Sequence, residues 1–152
     1  MNKWRKFWSL PAGERALLLK SLVLLPVVRL GLKTLGLRRV QAVFAMGRPN
    51  PAVHATHGQT PIWRARRAAR MVGIAARLTG GTCLERSVLL AYILDRQGIP
   101  AELRIGVRSG EHGFEAHSWI EAAGEVLNEG RDVGERYAAF DRDFATARSN
   151  GR

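Results

Sequence analysis

Between Thr82 and Val107 the hydrophobic repeat switches from a helical to a strand period, and both halves are sharply bounded. Thr82 followed three residues later by Glu85 is a capping box, in which each side chain satisfies a backbone N–H at the start of a helix. Leu84, Val88, Ala91 and Leu94 then recur at helical spacing, and Gly98 after Gln97 supplies the stop. From Ala101 the period is two: Ala101, Leu103, Ile105 and Val107 alternate with Glu102, Arg104, Gly106 and Arg108, the pattern of a half-buried strand. Ser109–Gly113 reads as a turn, Phe114–Glu121 as a second strand and Glu125–Glu129 as a third. A helix with one apolar face, feeding a set of short antiparallel strands, has to bury that face on them. The expected class is therefore α+β.

The preceding residues read as a helical region. Pro11 and Glu14 suit a first turn, and Ala16–Leu37 is strongly apolar. Lys20, Arg29 and Lys33 interrupt this run, leaving Ser21–Val28 as its longest uncharged piece, far short of the ~18 residues a spanning helix needs. No cleavage site in good register suggests a signal peptide, so the chain is expected to be cytoplasmic. Pro26 is expected to kink or divide the helix. Gly47–Pro61 reads as a loop, ending in Thr60 as a cap and Pro61 as the first residue of a helix over Ile62–Leu78. That helix places Ile62, Ala65, Ala69, Val72 and Ala76 on one stripe. The tail after Gly130 is charged and at best weakly helical around Tyr137–Ala147. The reading divides the chain into a basic, apolar helical region over 1–60 and a core over 61–152.

Charge is split unevenly. Residues 1–77 carry fifteen Lys/Arg and a single acid, Glu14, whereas residues 78–152 carry nine Arg and twelve acids, so the whole excess of +11 lies before residue 78. Such asymmetry points to an acidic partner, nucleic acid or a membrane surface. No helix-turn-helix, RNP-type or zinc signature accompanies the cations, which makes nucleic acid the weaker of these. Trp4 and Trp8 among Lys3, Arg5 and Lys6 suit either core packing or peripheral contact with a lipid surface.

One cysteine, Cys83, excludes internal disulfides and Cys-rich zinc sites. His54 and His57 on the Pro-rich loop are weak metal candidates beside Cys83 or His112, and no metal or other cofactor is expected. The capping box places Cys83 at the first position of its helix, where unpaired N–H groups and the helix dipole favour a thiolate. If Ala122–Gly124 forms a three-residue hairpin loop, His117 lies directly across from Glu129, and the carboxylate can orient the imidazole. A two-residue loop, Ala123–Gly124, breaks that pairing. Ser87 reads as packed on the sheet or bonded within its helix, and Trp119 as a lid or wall beside His117.

A Cys at a helix start followed by His and an acid on successive strands is the order of transglutaminase-like and papain-related enzymes. Residues 80–130 resemble the leader peptidase of lasso-peptide biosynthesis, a transglutaminase-like cysteine protease. The likeness rests on Cys83-Leu84-Glu85-Arg86-Ser87, Gly98-Ile99-Pro100-Ala101, Ile105-Gly106-Val107-Arg108, Ala116-His117-Ser118-Trp119-Ile120-Glu121 and Val126-Leu127-Asn128-Glu129. The resemblance implies a papain/transglutaminase-like core, with the nucleophile helix packed on an antiparallel sheet. It also implies Cys83 as nucleophile, His117 as base and then acid, and Glu129 as third member where the family usually has Asp, with Asn128 as a lesser candidate. The implied partners are a ribosomally made precursor peptide, a separate recognition-element protein that binds its leader, and the lasso cyclase. An acyl transferase or amidase using the same residues, or a basic binding module without catalysis, are the alternatives.

Overall fold

A computed structural model describes residues 3–46, 62–110 and 113–139. The Pro-rich loop with His54, His57 and the Thr60–Pro61 cap, the expected boundary at residue 60, His112 and the tail beyond residue 139 lie outside the described residues. In chain order the elements are α1 (Lys3–Trp8), α2 (Ala12–Thr34), α3 (Leu37–Met46), α4 (Ile62–Thr79), α5 (Cys83–Arg96), β1 (Glu102–Gly110), β2 (Gly113–Ala122), β3 (Glu125–Val126), α6 (Val133–Arg136) and β4 (Ala138–Ala139). The class is α+β: helices packed with a four-stranded antiparallel sheet, in the order β3-β2-β1-β4.

Pro26 neither divides nor ends α2, which runs unbroken from Ala12 to Thr34. It lies on the exposed side, where water can bond the carbonyl that lacks its helical partner. The opposite side buries Leu18, Ser21, Leu25 and Val28 in one core with Ala65, Ala68, Met71, Val72 and Ala75 of α4 and Val88, Leu89, Ile93 and Leu94 of α5. The run of buried alanines on α4 removes side-chain bulk, which lets α2 and α4 approach closely.

Strand alternation sorts β2 onto two faces. Ile120 joins the main core beneath α5, while Trp119 joins a second, smaller core with Val133 and Tyr137. This second core exists because β1 has Gly106 at its centre. A Cβ there would lie 2.9 Å from Trp119 Cη2 and 3.0 Å from Tyr137 Cβ. Tyr137–Ala139 is thus extended and leads into β4, which pairs with β1 at Val107 and Gly106, in place of the helical start expected for that stretch.

The hairpin between β2 and β3 also departs from expectation. Glu121 pairs with Val126 and Ala122 with Glu125, so the loop is the two-residue Ala123–Gly124, both at positive φ (50° and 77°). This is the combination that matches the twist of the flanking strands. β3 is two residues long instead of five, because after the Leu127 N–H donates to Ile120 O at 3.0 Å a side chain takes over the ladder. The Ile120 N–H donates to Asn128 Oδ1 at 2.8 Å.

Candidate active site

The start of α5 is fixed by a closed set of polar contacts. The Glu85 N–H donates to Thr82 Oγ1 at 3.3 Å and the Thr82 N–H donates to Glu85 Oε2 at 3.1 Å, completing the capping box. Arg29 of α2 holds the same carboxylate, Nε to Oε1 at 3.1 Å and Nη2 to Oε2 at 3.0 Å. Its Nη2 also donates to the carbonyls of Thr79 and Gly80 at 3.2 and 2.9 Å. Burial alone would raise the Glu85 carboxyl, but Arg29, the Thr82 N–H and nearby Lys33 together hold it below its ordinary value. One guanidinium therefore ties α2, the end of α4 and the cap of α5 together, and this sets the position of Cys83.

Cys83 is the first residue of α5 and is half-buried. One turn on, the Ser87 hydroxyl donates to Ser118 O at 3.1 Å and accepts from Asn128 Nδ2 at 2.9 Å. These bonds lock the helix onto β2 beside His117. Asn128 is therefore engaged with Ile120 and Ser87, while Glu129 reaches the imidazole.

Glu129 and His117 meet, although not by the pairing the sequence suggested. In the observed register their strands are offset by one residue. Glu129 instead follows the end of β3, and the turning chain brings its Oε1 to 3.2 Å from His117 Nε2. The same oxygen is held by Arg86 Nη2. Arg86 Nε is buried without a hydrogen-bond partner among the described residues, so the guanidinium engages the carboxylate through one arm. The other side of the ring stacks on Tyr137, centroids 5.1 Å apart and planes 26° from parallel. Trp119, 1% exposed, is a wall beneath this stack and not a lid. Its Nε1 donates to Glu121 Oε1 at 2.8 Å.

Burial pushes the His117 imidazole below its ordinary value, and Arg86, Arg136 and Arg108 push the same way. These influences favour the neutral ring, the form able to accept a proton. Burial likewise lowers Arg86, opposed by its electrostatic interaction with Cys83 and reinforced by Arg77, though a guanidinium stays charged throughout. Cys83 itself makes no side-chain hydrogen bond among the described residues. What it shares with the His117–Glu129 pair is Arg86, which neighbours the thiol along α5 and binds the carboxylate.

A family model, the transglutaminase-like superfamily, matches residues 22–141, a span that includes the second half of α2, the whole sheet and all the residues just described. The chain belongs to the transglutaminase-like superfamily. Members of this superfamily are typically cysteine peptidases and acyl transferases, whose shared requirement is a thiolate beside an imidazole held by an acid. No curated protein and no solved structure matches the sequence significantly.

Three contributors to this transglutaminase-like site were missed at the level of sequence. Arg86 had a usable signal, being three residues after Cys83 and hence on the same side of α5. Arg29 is 56 residues from the carboxylate it binds, and Tyr137 lies beyond the third strand. Neither position carries a local pattern that announces its contact.

Proposed function

We propose that this protein is a cysteine peptidase that removes the leader from a ribosomally made lasso-peptide precursor, with Cys83 as nucleophile, His117 as base and acid, and Glu129 as the orienting carboxylate. The observation that carries the reading is the Glu129–His117 contact at 3.2 Å, beside the helix whose first residue is the chain's single cysteine. The choice of substrate rests on the sequence motifs around Cys83, His117 and Glu129.

With Nε2 engaged by Glu129, Nδ1 is the ring nitrogen left to exchange a proton with the thiol. The thiolate adds to the scissile carbonyl carbon, and the oxyanion is held in part by free N–H groups at the start of α5. The C–N bond breaks as the imidazolium passes its proton to the leaving amine. Water then gives a proton to the neutral imidazole and its hydroxide to the thioester, releasing the acid and restoring the thiol. A transglutaminase-like transferase would share the acyl-enzyme and differ only in using an amine acceptor.

Binding of nucleic acid is the less favoured alternative. Of the arginines clustered on α4, Arg66 pairs with Glu125 at 2.5 Å, and Arg67 and Arg70 pair with Glu14 at 3.4 and 2.5 Å, so much of that charge is neutralised within the chain. The test mixes precursor peptide, recognition protein and this chain, and follows products by mass spectrometry. Leader release with a free carboxylate, abolished by Cys83→Ala, is the expected result. Undiminished release by Cys83→Ala removes the proposal, and a product joined to an added amine favours transfer.

A further inference from the structure

Helix α2 is apolar on two opposite sides. One side buries Leu18, Ser21, Leu25 and Val28 against α4 and α5. The other presents Leu19, Val23, Val27 and Leu30, each more than half exposed. At 3.6 residues per turn these four fall on one stripe roughly 16 Å long, about half a turn away from the buried set. Their spacing of four, four and three residues is that of a core-facing helix stripe, yet among the described residues nothing covers it. The apolar surface continues past Leu35 to Val43, both also exposed, around an open cleft of about 350 Å³ between α2, α3 and α5 that Leu24, Val40, Phe44 and Tyr92 help to line.

The charges around this stripe are all of one sign. Arg15 and Lys33 border it on one side and Lys20 on the other, with Arg38 and Arg39 exposed on α3. The only acid in residues 3–46 is Glu14, which is buried and held by Arg67 and Arg70. Trp8, 64% exposed, stands before the N-terminal end of α2 with the Arg15 guanidinium 5.3 Å from its ring centroid. Long basic side chains beside an apolar stripe can bury their stems while their charges sit among phosphates, and tryptophan favours the same depth.

We propose that the exposed face of α2 docks in the plane of an anionic lipid bilayer. The helix lies on the membrane and does not cross it, since among the described residues no helix is long and apolar enough to span one. A second copy of this chain packed on the stripe would bring Arg15, Lys20 and Lys33 of both copies together with no carboxylate between them. A surface of anionic headgroups over acyl chains meets both the charge and the apolar area. The stripe faces away from α4 and α5, so docking leaves the start of α5, with Cys83, open to water.

The test is flotation of the full chain with vesicles of phosphatidylcholine alone or mixed with phosphatidylglycerol, beside the double variant Val23→Asp/Val27→Asp. Both positions are exposed, so the variant is expected to keep its circular dichroism spectrum and melting temperature. The expected result is flotation with the anionic vesicles only, weakened by salt and reduced more than about tenfold in the double variant. Absence of flotation, or flotation equal in the folded variant, overturns the proposal. A dimer in solution that the double variant dissolves, with no vesicle binding, overturns it in favour of self-association. Cleavage of a precursor in solution is a separate readout, so failure of the peptidase assignment leaves this result standing and the reverse also holds.

Discussion

Oε1 of Glu129 lies 3.2 Å from Nε2 of His117 and is at the same time held by the guanidinium of Arg86. One carboxylate oxygen thus joins the ring on β2 to the helix that begins with Cys83. Substitution by Gln keeps the shape and removes the charge that, in the proposed mechanism, selects the ring tautomer and steadies the imidazolium. Glu129→Gln is expected to lower kcat on the order of 10²–10⁴-fold with little change in KM. It is also expected to cost about 1–3 kcal/mol of stability, because Arg86 then stays half-buried without its counter-charge. Steady-state kinetics and urea unfolding read the two effects separately.

Arg86 is a positioning residue in this account, acting on the reacting groups through charge. It pushes the His117 imidazole down, behind burial and ahead of Arg136 and Arg108. Arg86→Gln is expected to move the acid limb of kcat/KM to higher pH, toward the ordinary imidazole value of about 6.5, and Arg86→Lys to restore part of the shift. Stability carries the same signature. A folded-state value below the unfolded one means that the contribution is complete above about pH 6.5 and is lost as pH falls through the folded value. The melting temperature of Arg86→Gln should therefore fall less steeply on acidification below pH 6.5 than that of the parent.

Arg29→Met tests the clamp on the cap of α5. With Arg29 present, Glu85 sits below its ordinary value, so its contribution is complete above about pH 4.3 and is lost as pH falls through the depressed value. Without Arg29, burial of Glu85 has less to oppose it. A cost of about 1–3 kcal/mol at pH 7 is expected, and the gap from the parent should narrow as pH falls toward 4. Urea unfolding at a series of pH values checks this. A gap that is constant with pH contradicts it.

Gly106 links the second core to the site. A methyl group there meets Trp119 and Tyr137 at about 3 Å, and Tyr137 is the residue on which His117 stacks. Gly106→Ala is expected to cost about 1–3 kcal/mol and to lower kcat by displacing the ring, with the folded protein recoverable at low temperature. Thermal unfolding and turnover on the same sample check both.

The parts of the fold legible in the sequence were those written in local chemistry. The capping box at Thr82 and Glu85 closes as expected and places Cys83 at the helix start, and the stripe on α4 buries Ala65, Ala69, Val72 and Ala76 as its spacing required, with Ile62 only half-buried. The hairpin register was not legible. Choosing the two-residue loop requires Ala123 at positive φ, a conformation alanine disfavours by roughly 1–2 kcal/mol. Asn128 then ends the strand by bonding the Ile120 N–H, which frees Glu129 to reach His117 by a path no ladder describes. Arg29, Arg86 and Tyr137 matter through contacts across 20 to 56 residues of chain, which periodicity does not encode. Pro26 inside α2 shows the converse: packing on one side of a helix outweighs a local breaker on its exposed side.

The proposed mechanism needs Cys83 to be an activated nucleophile served by His117. The most direct measurement is its rate of alkylation by iodoacetamide from pH 5 to 9, clean because the chain has a single cysteine. With His117 as its base, Cys83 is expected to react at pH 6 more than about tenfold faster in the parent than in His117→Ala. A rate indifferent to His117→Ala across this pH range would contradict the assignment.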